Sequence, residues 1–93
     1  MSNSKVECSY RKNIGFLLPG QVHIEHFRLL ADISHINSER ILLALELFLV
    51  KGLTRQQACN MAGISQSCLS VKVRQMQDIS RTVMQLYPWY NKG

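Results

Sequence analysis

Polar side chains that suit nucleic-acid recognition are concentrated in one ten-residue stretch of the chain. Gln and Arg can each form two hydrogen bonds with a single base edge, whereas Ser and Lys suit phosphates or either groove. Arg55 precedes this stretch and is expected at the first turn of a separate helix, where it can contact a phosphate backbone. The predicted DNA-binding residues are Arg55, Ser65, Gln66, Ser67, Ser70, Lys72 and Arg74.

Two helices joined at a glycine are predicted to position these side chains. The spacing of Thr54 and Gln57 is that of a capping box, in which each side chain binds the backbone of the other residue. The helix that follows is short, because Gly63 can adopt the left-handed conformation that ends it. Ser65 then caps a new helix. A short helix, a glycine turn and a second helix are typical of a DNA-binding helix-turn-helix.

The second helix of this pair presents different residues to the core and to solvent. Leu69, Val73 and Met76 share one face, so Gln66, Ser67, Ser70, Val71 and Arg74 are expected to point outward. Pro88 predicts that the helix ends by Tyr87. The packing of the helix pair is assigned to Cys59, Gly63 and Leu69, with Cys59 as the small residue where the two helices cross.

The preceding segment also has helical patterning. A first helix is expected from Gln21 to near Ser34, with Val22, Ile24, Phe27, Leu30, Ala31 and Ile33 largely at helical spacing. Asn37 or Ser38 can cap a second helix, whose body, 41–50, is apolar on most sides and thus suits the centre of a bundle. The prediction is an all-α fold: a small bundle of four to five helices containing a helix-turn-helix, with residues 1–13 as a flexible arm and 14–93 as one domain.

The charge of the chain is distributed unevenly. Its 93 residues carry a formal charge of +5, and residues 1–50 are neutral. Residues 51–93 contain six bases against the single acid Asp78. This asymmetry favours a polyanionic partner for the second half, although a basic surface can also be merely solvated.

Several other classes of function are disfavoured. The longest apolar stretch, 41–50, is interrupted by Glu46 and is far shorter than the roughly 20 residues of a membrane span. Three cysteines without a C-x-x-C pair predict neither a disulfide framework nor a zinc site, so a cytoplasmic location is expected. His23 and His26 could share a helix face, but no ligand pattern surrounds them. We expect no metal, cofactor, membrane or small-molecule substrate, and no enzymatic activity.

Several motifs resemble one known family. The sequence is similar to the PapB-type adhesin-biosynthesis regulators of enterobacterial fimbrial operons, through Leu17-Leu18-Pro19-Gly20, His26-Phe27-x-Leu29-Leu30-x-x-Ile33, Ser38-x-Arg40-x-x-x-Ala44, Leu49-Val50-x-Gly52-x-x-Arg55-x-x-x-Cys59 and Leu86-Tyr87-Pro88-Trp89-Tyr90. The resemblance implies an all-helical transcription regulator that binds A·T-rich double-stranded DNA as a homo-oligomer. It also implies that Arg55 and Cys59 occupy positions associated with DNA binding.

Two hypotheses about function follow. The first is a regulator of fimbrial genes that binds repeated A·T-rich sites cooperatively through the helix-turn-helix. The alternative is a protein-interaction module of the same fold that contacts RNA polymerase or another regulator without DNA. The aromatic residues Tyr87, Trp89 and Tyr90 either form an interface between protomers or fold back over the small core.

Overall fold

The computed structural model describes residues 16–90, which form four α-helices: α1 (Ile24–Ser34), α2 (Glu39–Leu49), α3 (Arg55–Ala62) and α4 (Gln66–Tyr90). This part of the chain contains no strand, so the predicted all-α bundle is confirmed with four helices. The predicted arm, 1–13, lies outside the described residues. No helix within 16–90 is both long and apolar enough to cross a lipid bilayer.

Helix α2 lies at the centre and packs against the other three helices. Ser38 caps it, with its hydroxyl accepting a hydrogen bond from the Ile41 amide (3.3 Å). Ala44, Leu45 and Leu49 have no exposed surface. The central position predicted for this segment is therefore confirmed, and its apolar surface is buried because neighbours cover it on several sides.

The predicted helix-turn-helix features are present in α3 and α4. Both hydrogen bonds of the Thr54–Gln57 capping box are formed, at 3.1 and 3.0 Å. Gly63 has φ +77° and its amide bonds to the Cys59 carbonyl (2.8 Å), which ends α3. Ser65 accepts a hydrogen bond from the Cys68 amide (3.1 Å) and so caps α4. These local signals act within a few residues, which is why they could be predicted.

The start of α1 was predicted too early. The helix begins at Ile24 rather than near Gln21, and His23 caps it by accepting a hydrogen bond from the Glu25 amide (3.1 Å). The residues before Ile24 are hydrogen-bonded to another helix instead. The amides of Gly20 and Val22 donate to the carbonyls of Phe48 and Leu49 at the end of α2 (both 3.2 Å). Ile33, which was assigned to the apolar face of α1, is half exposed.

The end of α4 was also predicted wrongly. The helix continues through Pro88 to Tyr90 instead of ending by Tyr87. Proline lacks one amide donor and crowds the carbonyl four residues earlier, but here it lies in the last turn, where little helix depends on the missing bond. The aromatic tail therefore does not fold back over the core: Tyr87, Trp89 and Tyr90 are 56, 71 and 84% exposed.

Candidate nucleic-acid interface

Arg55, the first residue of α3, is held from two sides. Its guanidinium carbon lies 5.2 Å from the centre of the Phe48 ring on α2, within the range of a cation–π contact. One of its terminal nitrogens donates a hydrogen bond to the Ser70 hydroxyl on α4. Arg55 nevertheless remains exposed. The fold thus presents a positioned guanidinium at the surface where α2, α3 and α4 meet.

The beginning of α4 carries most of the predicted DNA-binding residues. Gln66, Ser67, Ser70 and Arg74 are all exposed. Ser65 is also exposed, and its hydroxyl lies 3.3 Å from that of Ser67 while it caps the helix. Since Arg55 bonds to Ser70, the structure joins the predicted residue of α3 to those of α4.

Lys72 is the predicted residue that does not join this group. It lies two positions before Arg74, which places the two side chains on opposite flanks of α4, about 200° apart around the helix axis. Lys72 is also half-buried, whereas Arg74 is exposed. The outward direction predicted for Val71 is correct, because 63% of this residue is exposed.

Of the three residues assigned to helix packing, Cys59 and Leu69 lie behind this surface, whereas Gly63 is exposed and does not pack against the second helix. Leu69 has no exposed area, and Cys59 is 3% exposed with its thiol 3.5 Å from the Ser65 carbonyl. Burial raises the pKa of the Cys59 thiol, and the neighbouring Cys68 adds to the shift while Arg55 opposes it. A protonated thiol is therefore the stable form at neutral pH, and it packs as a small apolar group. Gly63 lies in the turn between the helices.

A surface groove beside α4 extends the candidate interface beyond the residues found in the sequence. Its volume is about 530 Å³, and it runs from Arg55 along α4 to Arg81. It is lined by Phe16, Leu17, Pro19, Phe48, Arg55, Ser70, Val73, Arg74, Gln77, Asp78 and Arg81. Three of these eleven residues are arginines and one is an acid, so the groove carries net positive charge.

Sequence reasoning missed the roles of Phe48 and Gln77 in this groove. The Leu17 amide donates to Gln77 Oε1, and Gln77 Nε2 donates to the Leu17 carbonyl, both at 2.7 Å. These partners are 60 residues apart in the chain, so no local pattern could reveal them. Arg81 could have been found from the sequence, because the spacing of Ser70, Arg74 and Arg81 places all three on one flank of a helix.

Two of the three histidines have structural roles at the ends of α1. His23 caps the start of α1, and His35 ends the same helix with a left-handed backbone (φ 58°). Among residues 16–90, no three His, Cys, Asp or Glu side chains are grouped as metal ligands.

Comparison with known proteins places this arrangement in a family. The model of the PapB family, described as adhesin biosynthesis transcription regulatory protein, matches residues 1–90. The chain belongs to the PapB family. Among its relatives, the AFA-III adhesin operon regulatory protein of Escherichia coli is 40% identical over 76 residues, covering 82% of this chain and 75% of the relative. The F1845 adhesin operon regulatory protein of Escherichia coli is 40% identical over 73 residues, covering 78% and 86%.

A solved structure of similar fold supports the architecture of this PapB family member. The crystal structure of E. coli FocB matches with a TM-score of 0.77 and 27% identity, and the match covers 96% of this chain and 99% of FocB. The family resemblance expected from the motifs is therefore confirmed. Transcription regulation of adhesin operons is the function that the family description and these relatives share.

Proposed function

We propose that this PapB family member regulates fimbrial genes by binding A·T-rich double-stranded DNA cooperatively, as a homo-oligomer, through its helix-turn-helix. The observation that carries the proposal is the junction of α3 and α4, where Arg55, Ser70 and Arg74 line one surface groove. Arginine pairs with phosphates and with base edges through its planar guanidinium, and the whole formal excess of +5 resides in the same half of the chain.

The preference for A·T-rich DNA is argued from the kinds of side chain at the surface. The exposed start of α4 offers several serines and few side chains that discriminate bases. Arginine is attracted to the strongly negative potential of a narrow A·T-rich minor groove, and recognition of this kind depends on DNA shape as much as on base contacts. Gln66 and Arg74 remain available for direct base contacts.

The homo-oligomer is argued from the aromatic tail. Tyr87, Trp89 and Tyr90 are exposed at the end of α4, although tyrosine and tryptophan bury large areas when a partner covers them. Aromatic residues of this kind frequently anchor protein interfaces. The same tail is also the observation that favours the second candidate function, a protein-interaction module that contacts RNA polymerase or another regulator.

The salt dependence of binding distinguishes the two functions. A 30-base-pair A·T-rich duplex is titrated with the protein at 50 to 200 mM KCl and compared with a G·C-rich duplex of equal length. A protein that neutralises about four to six phosphates loses affinity steeply over this range, because condensed counterions are released on binding. Absence of binding to either duplex at 50 mM KCl would exclude the DNA-binding function and leave the interaction module.

Variants at the junction test the residues themselves. We expect Arg55→Ala and Arg74→Ala each to weaken DNA binding about tenfold, the equivalent of one lost charged contact. Arg28→Ala is the matched control, because it removes the same charge from an exposed position on α1. Thermal melting is recorded for each variant. Arg74→Ala should melt as the wild type does, whereas Arg55→Ala loses its contact with Phe48, about 0.5–1 kcal/mol. Equal affinities for all three variants would contradict the assignment.

A further inference from the structure

The groove-lining flank of α4 after Arg74 has no role in the function proposed above. Arg81 lies there, seven residues after Arg74 and eleven after Ser70, so the three side chains follow one flank of the helix. Eleven residues of helix span about 16 Å, whereas successive phosphates of one DNA strand are about 3.4 Å apart along the duplex axis. This flank is therefore long enough to meet more than one phosphate.

We propose that the groove from Arg55 to Arg81 seats the phosphodiester backbone of the bound DNA, which makes Arg81 a DNA-contacting residue. The inference rests on the proposed DNA-binding function and extends its contact surface along α4. Three arginines from two helices line the groove, and Asp78 is the one acid among the lining residues that the structure describes. The charge of the groove is thus complementary to a polyanion, and arginine is the side chain that binds phosphate oxygens in pairs.

Some residues of the groove supply its positive charge, and other residues hold its walls in place. Arg55 is held by Phe48 and Ser70, and it stands at the end of the groove nearest the start of α4. The paired hydrogen bonds between Gln77 and the Leu17 backbone tie the segment before α1 to the flank of α4. Both walls of the groove are therefore in place before DNA arrives, which lowers the entropy that binding must overcome.

Asp78 opposes this function and so provides a second way to test it. Arg81 pairs with Asp78 at 3.7 Å, and their side chains are 57 and 67% exposed. Exposed pairs of this kind contribute little to stability, so Arg81 can exchange the carboxylate for a phosphate at small cost. The carboxylate that remains then repels the DNA backbone. Removal of its charge should strengthen binding, whereas removal of Arg81 should weaken it.

The chain contains a closely matched control for both changes. Arg28 and Glu25 on α1 form an ion pair with the same 3.7 Å separation, the same spacing of three residues and similar exposure (69 and 71%). Neither residue lines the groove. Substitutions in this pair change the net charge by the same amounts without touching the groove, so they report the effect of overall charge alone.

The experiment measures the dissociation constant of the full chain for the A·T-rich duplex at several KCl concentrations. We expect Arg81→Ala to weaken binding about three- to tenfold and to reduce the salt-dependence slope by about 0.9, the loss of one phosphate contact. Asp78→Asn should tighten binding about twofold at low salt. Arg28→Ala and Glu25→Gln should leave the slope unchanged. All four positions are exposed, and melting curves verify that each variant is folded.

Two outcomes would overturn the inference. If Arg81→Ala and Arg28→Ala have equal affinities and slopes, DNA does not contact the far end of the groove. If Asp78→Asn weakens binding, the carboxylate assists the contact and the electrostatic reasoning is wrong. Either result leaves the proposed function intact as long as Arg55→Ala and Arg74→Ala weaken binding. If Arg55→Ala and Arg74→Ala did not weaken DNA binding, the helix-turn-helix assignment itself would be contradicted.

Discussion

Arg55 acquires its partners from helices that are remote in the chain. Phe48 belongs to α2 and Ser70 to α4, and together they restrict a side chain that otherwise has about 2 kcal/mol of rotamer entropy. A side chain that is already ordered loses less freedom when it binds a phosphate. The exposure of Arg55 followed from its position at the start of a helix, but its restriction depends on the packing of three helices.

The buried thiol of Cys59, where α3 and α4 cross, makes the free energy of unfolding depend on pH. Burial raises the pKa of its thiol, so the folded chain binds this proton more tightly than the unfolded chain does. The stabilisation is fully present below the pKa of an unfolded cysteine, about 8.5, and is lost as the pH rises through the folded pKa. We expect the free energy of unfolding to fall between pH 8 and 10.5 more steeply in the wild type than in Cys59→Ala. Urea titrations under reducing conditions measure both profiles, and parallel profiles would show that the thiol is not desolvated.

At the element scale, one close approach of the chain and one turn depend on glycine. Gly20 has φ +75°, and a Cβ atom there would lie 3.0 Å from the Gly52 Cα atom. The segment before α1 thereby approaches the end of α2 closely enough for its amides to bond to the carbonyls of Phe48 and Leu49. Gly63 has a similar φ of +77°, but the space around it is open. The two glycines therefore share a backbone conformation and differ in their steric surroundings.

Alanine substitutions separate these two contributions. Gly63→Ala should destabilise the fold by about 1 kcal/mol, because only the left-handed conformation is strained. Gly20→Ala should cost about 2 kcal/mol or more, since its methyl group also meets the backbone of Gly52. Each kcal/mol lowers the melting temperature of a domain of this size by about 4–8 °C. Equal melting temperatures for the two variants would mean that the chain at Gly20 can move away from Gly52.

The predicted reading residues at the start of α4 and the aromatic tail lie at opposite ends of one helix. Gln66 begins α4 and Tyr90 ends it, and 25 residues of helix span about 37 Å. The longest dimension of the described structure is 45 Å. The aromatic tail is therefore far from the predicted reading residues. A neighbouring protomer could cover the tail while the start of α4 remains accessible to DNA, which is the geometry that cooperative binding requires.

The tail is tested by its effect on cooperativity. The double substitution Tyr87→Ser and Tyr90→Ser should lower the Hill coefficient on DNA with several sites, while affinity for a single site and the melting temperature stay close to wild type. Leu29→Ser on α1 is the control, because it removes another large exposed hydrophobic side chain (64% exposed) from a different helix. A Hill coefficient that falls with Leu29→Ser but not with the tyrosine variant would place the interface on α1.

Local chemistry accounts for what could be predicted from the sequence. The capping box at Thr54 and Gln57, the left-handed turn at Gly63 and the cap at Ser65 each depend on atoms a few residues apart. Helical periodicity was sufficient to predict the buried centre of α2 and the outward side of α4. Local signals misled at the start of α1, where long-range hydrogen bonds hold the preceding residues, and at Pro88, which lies in the last turn of α4.

By itself the sequence determined that the chain is helical, that it contains a helix-turn-helix pattern, and that its basic charge lies in its second half. Only the tertiary structure decided which of those bases share a surface. It grouped Arg55, Arg74 and Arg81 around one groove, which Lys72 does not line. The physical reason is that helix caps and periodicity are determined within a few residues. The partners of Arg55 and Gln77, by contrast, are set by how four helices bury their apolar faces together.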